Sequence, residues 1–467
     1  MENKNDVLKR LSEAFEKIDA LTAQMQIMKY AHAHEVKILS GRIDKLGKEN
    51  TLLRRENERL RGMINKNSGN SSKPPSSDGF VKNQNSRVKT GRKTGGQLGH
   101  EGHGPKLQDN PDEIVEIKAK RCGCGGRFVY GGEYKRKQLV DVEVVTRVLE
   151  YREFAGKCLY CGTASHNRAP LDSMVTYGDN LKSLVALLSV EGIISLNRLT
   201  KIVEEATGGR IALSQGTVVS WLNELAKRVA PRVETYKDNL LLSRVLNKDE
   251  TGVSVQGKNQ WFHVLSDERH TLYHVNAKRG KEADYAMGVL PDYSGTLMHD
   301  HWTSLYEFAC THAECNAHIL RYLKAAIETQ KRKWAQAMIE LLLEAKSLSQ
   351  PTPAQIADIQ ARYDEIIKDG IFEFNPDDDP DGEDRKLLRR MEKYKAEHLR
   401  FLTDPAVPFD NNQAERDLRM IKAKQKISGT FRAHNGADTF ATLKSFTSTH
   451  KKQNLNIFDS LKLAFAI

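Results

Sequence analysis

Three places in the chain carry acidic side chains that could bind divalent metal ions. Asp249-Glu250 interrupts an apolar, strand-like run, Asp300 ends a short apolar run, and Glu415 lies in a cation-rich helical segment. Buried acids are costly unless they bind a metal or a partner. Three carboxylates that meet at one point can hold two divalent ions about 3.5–4 Å apart, a geometry suited to phosphoryl transfer. Hard oxygen ligands favour Mg²⁺ or Mn²⁺, so we expect a two-ion site of this kind.

The segment around Glu415 supports two interpretations. Asp410 can cap a helix whose apolar positions are Ala414, Leu418 and Ile421. Either Glu415 is the last ligand of the metal site, or the segment is a solvated helix face with local ion pairs. In the first case the neighbouring cations contact phosphates; these cations are Arg416, Arg419, Lys422, Lys424 and Lys426.

Two cysteine pairs predict a second, structural metal site. Cys122 and Cys124 precede a stretch of alternating apolar residues that is typical of strands, and Cys158 and Cys161 follow it. Glycines after each pair allow tight turns. We expect Zn²⁺ bound by the four thiolates in a zinc-ribbon-like domain over residues 111–172. Four structural thiols without a metal are the alternative.

The composition of the chain indicates its partner. The 467 residues carry a formal net charge of +11, and the pI is near 9.1. Such a balance indicates a polyanion, nucleic acid first, and does not distinguish DNA from RNA. No run approaches the ~20 apolar residues of a membrane span, and residues 1–6 lack the apolar core of a secretory signal. We therefore expect a cytoplasmic, nucleoid-associated protein with reduced thiols.

Residues 6–65 keep one heptad register. The d positions include Leu11, Leu39, Leu46, Leu53 and Leu60, and Asn50 and Asn57 occupy a positions. This pattern predicts a parallel coiled coil, and hence a homodimer or higher oligomer. Polar residues weaken the centre of the seam, where a break is expected; they are Thr22, Lys29 and His32. A long amphipathic helix packed on its own chain is the alternative.

A change of composition after the heptads predicts a basic, flexible linker over residues 66–110. The segment is rich in Ser, Gly, Pro and Lys and cannot build a core. Arg92 and Lys93 could lie along a phosphate backbone. A plain solubilising linker has the same composition.

Residues 173–235 read as a helical DNA-binding domain. A helix over 196–206, a Gly208-Gly209 turn and a helix capped by Ser214 match the outline of a helix-turn-helix. Any helical hairpin offers the same outline. In a helix-turn-helix, the residues facing bases or phosphates would be Gln215, Thr217 and Ser220.

The acids fall on elements in a recognisable order. Three strand-like runs between residues 241 and 275 predict an antiparallel meander, and a helix and a strand ending in Asp300 follow. With the late helix of Glu415, this is the order of a ribonuclease-H-like α/β core. The predicted fold is thus multidomain α+β: coiled coil, zinc ribbon, helical domain and catalytic core. The core has a first part at 236–329, a helical insertion at 330–405 and a last part at 406–467.

Further motifs run through nearly the whole chain in order. Besides the cysteine pairs, they are Asn70-Ser71-Ser72-Lys73-Pro74-Pro75-Ser76-Ser77, Gly95-Gly96-Gln97-Leu98-Gly99-His100, Asp249-Glu250-Thr251, Asp300-His301-Trp302, Cys315-Asn316-Ala317-His318 and Asn411-Asn412-Gln413-Ala414-Glu415-Arg416. With these motifs the chain resembles transposases of the insertion-sequence 66 family, a bacterial group with an acidic Asp-Asp-Glu triad. Many similar proteins carry a longer tail than this chain, which ends at Ile467.

The resemblance implies a catalytic role for the acids. It selects Asp249 over Glu250 and makes Asp249, Asp300 and Glu415 the metal-binding triad. It also implies DNA strand cleavage and strand transfer at transposon ends, with accessory transposition proteins as partners. The rival hypotheses are a decayed or repurposed DNA-binding protein and a coiled-coil transcription regulator. The second leaves the chain beyond residue 240 unexplained.

Two side chains near the acids have alternative roles. Trp302 could position the scissile phosphate or stack on a flipped base, or it could pack behind Asp300. His318 follows three other potential zinc ligands, but its spacing favours packing or contacts to the DNA end. Those three residues are Cys310, His312 and Cys315.

Overall fold

The computed structural model describes residues 4–64, 66–67, 70, 106–118, 121–131, 135–166, 168–171, 173–374 and 382–466. The chain divides into two compact units. The sheet unit comprises residues 1–83, 232–422 and 430–453, and the helical unit comprises 84–231, 423–429 and 454–467. Most of the predicted linker, including Arg92 and Lys93, lies outside the described residues.

Helix α1, Lys4–Ile64, is continuous over 61 residues. The polar residues at the centre of the heptad seam do not break it, and the Thr22 hydroxyl donates to the Ile18 carbonyl at 2.7 Å. Seam residues remain exposed, for example Leu39 at 48% and Leu53 at 65%. The predicted helix is therefore confirmed. Its apolar seam is not packed on the chain itself, and self-association stays a prediction.

In the helical unit, strands β1 (Ala155–Lys157) and β2 (Ala164–His166) form an antiparallel hairpin around the second cysteine pair. The stretch of alternating apolar residues between the two cysteine pairs was predicted to form strands. The described residues 135–154 are instead irregular. Val140 and Val142 are 71% and 85% exposed there. Apolar alternation cannot hold a strand without a hydrogen-bonded neighbour.

The same unit contains a helical bundle. Its helices are α2 (Asp179–Val190), α3 (Leu196–Ala206) and the first part of α4 (Gln215–Leu241). Ser214 caps α4, since its hydroxyl accepts from the Thr217 backbone amide at 3.0 Å. The predicted helices are present, but α4 continues through the predicted domain boundary at residue 235.

The last helix, α13 (Ile457–Ala466), also belongs to the helical unit, although the sequence assigned it to the core. It packs against α2, and Arg228 of α4 donates to the Phe465 carbonyl at 3.0 Å. The buried residues Leu461 and Phe465 supply its apolar face. The sequence of such an amphipathic helix is compatible with either unit. Only its long-range packing determines the unit to which it belongs.

The sheet unit is built on five strands in the order β5-β4-β3-β6-β7. Strands β3, β4 and β5 form the predicted antiparallel meander, and β6 and β7 continue the sheet in parallel with β3. The strands are β3 (Val245–Val255), β4 (Lys258–Ser266), β5 (Thr271–Asn276), β6 (Thr296–His299) and β7 (Thr311–Glu314). Residues 241–244, predicted as strand, instead end α4 and lead into β3.

Helix α5 (Lys281–Met287) connects β5 to the parallel strands, and α12 (His434–Lys452) packs on β5. The Thr271 amide donates to the Thr449 hydroxyl at 3.0 Å, and the Tyr273 amide donates to the Ser445 hydroxyl at 2.9 Å. Side chains of α12 thus form hydrogen bonds with the outward-facing backbone amides of the edge strand.

The predicted insertion is helical and has its own core. Trp334, Tyr363 and Met391 lie at its centre, each at most 2% exposed. Gly370 allows a close helix approach, because a β-carbon there would lie 2.7 Å from Leu388 Cδ1. The helices described between β7 and α12 are α6 (Asn316–Gln330), α7 (Lys333–Ser347), α8 (Pro353–Glu373), α9 (Glu383–Lys393), α10 (Lys395–Thr403) and α11 (Asn412–Ser428).

Candidate active site

The parallel pairing of β3 with β6 brings two of the predicted acids together. Asn247 pairs with Met298, and this register carried two residues further sets Asp249 beside Asp300. Asp300 is the first residue after β6, so both carboxylates lie at the same end of the sheet. The carboxyl ends of parallel strands are where open sheets commonly place their sites.

Neither of these two carboxylates has its charge balanced. Burial raises the pKa of Asp249 well above its ordinary value, and the nearby Asp300 adds to the rise. Burial, reinforced by Glu250, raises the pKa of Asp300 to about 6. Within the described part of the chain, Asp300 Oδ1 is buried without a hydrogen-bond partner. A divalent cation would supply the missing charge, so the donor set fits Mg²⁺ or Mn²⁺.

Glu250, the neighbour of Asp249, is in a different situation. Arg279 Nε donates to its Oε1 at 2.8 Å, and Lys248 Nζ lies 3.4 Å from its Oε2. Although burial opposes the change, these cations lower the pKa of Glu250. Glu250 is therefore neutralised by ion pairs, and Asp249 is the acid of the pair that remains for a metal.

Helix α11 carries Glu415 alongside β3. The Asn411 side chain donates to the Lys248 carbonyl at 2.7 Å, and Lys422 Nζ donates to the Gly252 carbonyl at 2.7 Å. Glu415 lies between these two anchors, one turn after Asn411, and its amide bonds the Asn411 carbonyl at 3.2 Å. The start of α11 is thereby fixed to the β3 segment that carries Asp249.

Glu415 forms a close group of potential ligands with residues other than the two aspartates. In the residues that the structure describes, one group of three or more has all its donor atoms within 4.8 Å of one another: Cys315, His318 and Glu415. Asp249, Asp300 and Glu415 do not form such a group. Two ions about 3.5–4 Å apart do not require it, because each carboxylate can reach a different ion. Convergence of the triad stays a prediction.

A further acid, Glu314, lies at the end of β7 opposite His299. It is fully buried and accepts from Arg390 at 2.5 Å, from His398 at 3.0 Å and from Tyr306 at 2.6 Å. It also bonds His301, the residue after Asp300. Burial opposes ionisation, but these donors hold the pKa of Glu314 far below its ordinary value. Glu314 was not predicted, although a strand ending in an acid was the signal that identified Asp300.

Arg279 is a second side chain that the sequence did not indicate. Its guanidinium lies 4.0 Å from the Trp302 ring centroid and 4.8 Å from that of Trp261. The Trp302 ring is therefore stacked on a cation beside Asp300, which favours packing among the alternatives for this residue.

The predicted DNA contacts differ in accessibility. Arg416 and Arg419 are exposed on α11, as are Gln215 and Ser220 on α4, with Thr217 half-buried. Lys422 is held by Gly252, and burial lowers its pKa. The structure describes His318 as half-buried beside Cys315, and Lys424 is grouped with the helical unit. The four exposed side chains are accessible to a ligand, and their contact with DNA stays a prediction.

The four predicted zinc ligands form two separate turns. Gly125 and Gly162 follow the pairs with φ of +85° and +74°, a conformation that favours glycine. All four thiols are exposed, and the Thr163 hydroxyl lowers the pKa of Cys161 to about 7. The pairs do not form a group within 4.8 Å of one another in the described residues. Their joint binding of zinc stays a prediction.

With this geometry in hand, comparison with known proteins is informative. The profile of the Transposase IS66 family matches residues 174–439, more than half of the chain and all three predicted acids. The chain belongs to the Transposase IS66 family. This confirms the resemblance seen in the motifs. The profile of a family of unknown function (DUF6444) matches residues 4–106, which contain α1 and most of the predicted linker.

A shorter match connects the chain to a curated protein. The uncharacterized protein y4jO of Sinorhizobium fredii is 36% identical over 76 residues, which are 16% of this chain and 24% of that protein. The chain thus spans about a quarter of the length of this relative. Separately, none of the helices described here combines the length and apolarity needed to span a membrane.

Proposed function

We propose that this IS66 family member is a transposase of the Asp-Asp-Glu type. In this proposal it binds transposon-end DNA and catalyses metal-dependent strand cleavage and strand transfer. The observation that carries the proposal is the register that sets Asp249 beside Asp300, together with the pKa values of both carboxyls, which burial raises. Carboxylates with raised pKa values are costly unless a function retains them.

The fold supports the same function. Three antiparallel strands followed by two parallel ones, with the first strand at the centre, is the arrangement expected of a ribonuclease-H-like core. The acids occupy the central strand, its parallel neighbour and a late helix, as that fold requires. A fold alone does not establish an activity, so the argument rests on the acids.

In the proposed mechanism, Asp249, Asp300 and Glu415 hold two Mg²⁺ or Mn²⁺ ions. These ions would activate the attacking hydroxyl and stabilise the leaving oxygen at phosphorus. Lys248 and Arg279 pair with Glu250 and thereby offset part of the negative charge that this acid adds beside Asp249. The exposed Arg416 and Arg419 attract the phosphate backbone toward the acids.

A cleavage assay tests the proposal. The purified full chain, given DNA that carries the element's ends together with Mg²⁺ or Mn²⁺, is expected to nick the ends and join them to target DNA. Asp249→Ala is expected to bind the same DNA with unchanged affinity and to leave it uncut. If wild type also leaves the ends intact while binding them as tightly as the variant, the protein is a non-catalytic DNA-binding protein.

The exposed seam of α1 supports a parallel dimer within the same proposal. Placing lysines in the seam by Leu39→Lys with Leu46→Lys buries like charges across the interface and is expected to yield monomers. Ala20→Lys with His34→Lys, on the opposite helix face, adds the same charge and is the matched control. Light scattering of the full chain gives the mass. Equal masses for both double variants would show that the seam does not hold an oligomer together.

A further inference from the structure

Cys315, His318 and Glu415 form a cluster whose chemistry differs from that of the aspartate pair. Cys315 and His318 are three residues apart at the start of α6, and Glu415 comes from the first turn of α11. One potential ligand atom from each lies within 4.8 Å of the other two. Sulfur, imidazole nitrogen and carboxylate oxygen together are the donors that Zn²⁺ takes in proteins.

Two polar atoms of this cluster lack a hydrogen bond. In the described residues, His318 Nδ1 and Glu415 Oε1 are buried with no hydrogen bond. The nearest cation to Glu415 Oε1 is Arg321, at 3.8 Å. Buried polar atoms without a hydrogen bond are destabilising, so two of them in one cluster indicate a missing ligand.

The sulfur is already placed as a metal ligand would be. Cys315 is 1% exposed, and its Sγ accepts the Asn411 backbone amide at 3.2 Å. Asn411 in turn holds β3 through its side chain. Asn411 therefore has two roles. Its amide donates to the Cys315 sulfur, and its side chain fixes the start of the helix that carries Glu415.

We propose that Cys315, His318 and Glu415 bind one transition-metal ion of the Zn²⁺ class, at a site separate from the ions held by Asp249 and Asp300. Three protein ligands leave a fourth position open to water or a phosphate oxygen. Thiolate and imidazole donors select against Mg²⁺, so this site and the aspartates discriminate between the two kinds of metal.

Glu415 is shared between this site and the proposed Mg²⁺ site, and the effect of zinc on cleavage inferred from this rests on the proposed function. An ion held with Cys315 and His318 withholds the Glu415 carboxylate from the Mg²⁺ site. Zinc at this cluster therefore inhibits Mg²⁺-dependent cleavage, and removal of zinc restores it.

Binding of Co²⁺, a spectroscopic substitute for Zn²⁺, tests the site without any need for activity. The metal-free, reduced full chain is titrated with Co²⁺, and thiolate-to-cobalt absorption and bound equivalents are recorded. Cys315→Ser and His318→Ala are each expected to lose one equivalent relative to wild type. Glu415→Gln is expected to bind that equivalent more than about tenfold more weakly.

Cys310→Ser is the matched control, because Cys310 is also a buried cysteine, precedes Cys315 closely in sequence and is outside the cluster. It is expected to keep every equivalent, and the exposed cysteine pairs are common to all variants and cancel in the comparison. If the buried Cys315→Ser fails to fold, His318→Ala reports on the same ion. Equal stoichiometry and affinity in wild type, His318→Ala and Glu415→Gln would overturn the proposal.

The inhibition is measured as the ratio of cleavage with and without added Zn²⁺ at fixed Mg²⁺, for each protein against itself. Wild type is expected to lose activity, and His318→Ala is expected to lose less. An absence of cleavage in any condition contradicts the proposed function but leaves the Co²⁺ result standing. Equal zinc inhibition in both proteins contradicts the sharing of Glu415.

Discussion

Asp300→Asn is expected to abolish strand cleavage and, at the same time, to stabilise the metal-free protein. The loss of activity should exceed the roughly 10²–10³-fold cost of losing a single electrostatic contact, because a ligand of the catalytic ions is removed. The gain in stability follows from the burial of Asp300 without a partner for Oδ1.

The sign of the pH effect follows from the pKa of Asp300, which burial raises to about 6. A group whose pKa is raised on folding stabilises the protein at low pH and loses that contribution as the pH rises through the folded-state pKa. Wild type without metal should therefore weaken between about pH 4 and pH 6, by on the order of 3 kcal/mol for a rise of about two units. Asparagine does not titrate and should be free of this loss.

The measurement is urea unfolding at about pH 5 and about pH 7.5, with chelator or with Mg²⁺. Mg²⁺ should restore the free energy of unfolding of wild type at the higher pH and leave that of Asp300→Asn unchanged. Asp292→Asn, an exposed acid close by in sequence, is the control and should behave as wild type. A variant that keeps the wild-type response to Mg²⁺ would exclude Asp300 as a ligand.

Glu314→Ala is expected to be among the most destabilising single substitutions in the sheet unit. Removing this carboxylate leaves Arg390 and His398 buried without their partner, and Tyr306 loses its acceptor. Breaking a buried ion pair by deleting one member costs about 3–5 kcal/mol.

Glu307→Ala supplies the matched control for Glu314. Glu307 pairs with Lys281 at 3.0 Å, but both side chains are more than 40% exposed. Exposed pairs of this kind contribute at most about 1 kcal/mol. Urea unfolding should separate the two variants clearly, and equal stability would mean that the Glu314 network contributes no more than a surface pair.

The acids on β3 show how far sequence reasoning reaches. A pair of acids within an apolar strand identified the position, but Asp249 and Glu250 could not be separated by physical argument, because β3 is buried on both faces. The distinction depends on Arg279, which reaches Glu250 from beyond β5, and on the β3–β6 register. Such pairings between distant segments leave no local pattern in the chain.

Glu314 and α13 illustrate the two kinds of miss. The position of Glu314 at a strand end was readable, whereas its partners Arg390 and His398 come from the helical insertion and were not. Helix α13 falls in a segment that the sequence assigned to the core, whereas its packing partner α2 lies far upstream in the chain. Local periodicity predicts secondary-structure elements. It does not predict which elements pack together, because that depends on contacts between distant segments.

Both edges of the five-stranded sheet are closed by side chains from helices. On β5 the hydroxyls of Ser445 and Thr449 accept the outward amides, and on β7 Arg400 Nε donates to the His312 carbonyl at 2.7 Å. Free edge strands recruit strands from other chains and lead to aggregation. The proposed transposase would bring several copies of itself together on one DNA molecule, where that hazard is greatest. Because both edge strands are occupied, strand addition between copies is blocked, and the proposed association would have to use the helices.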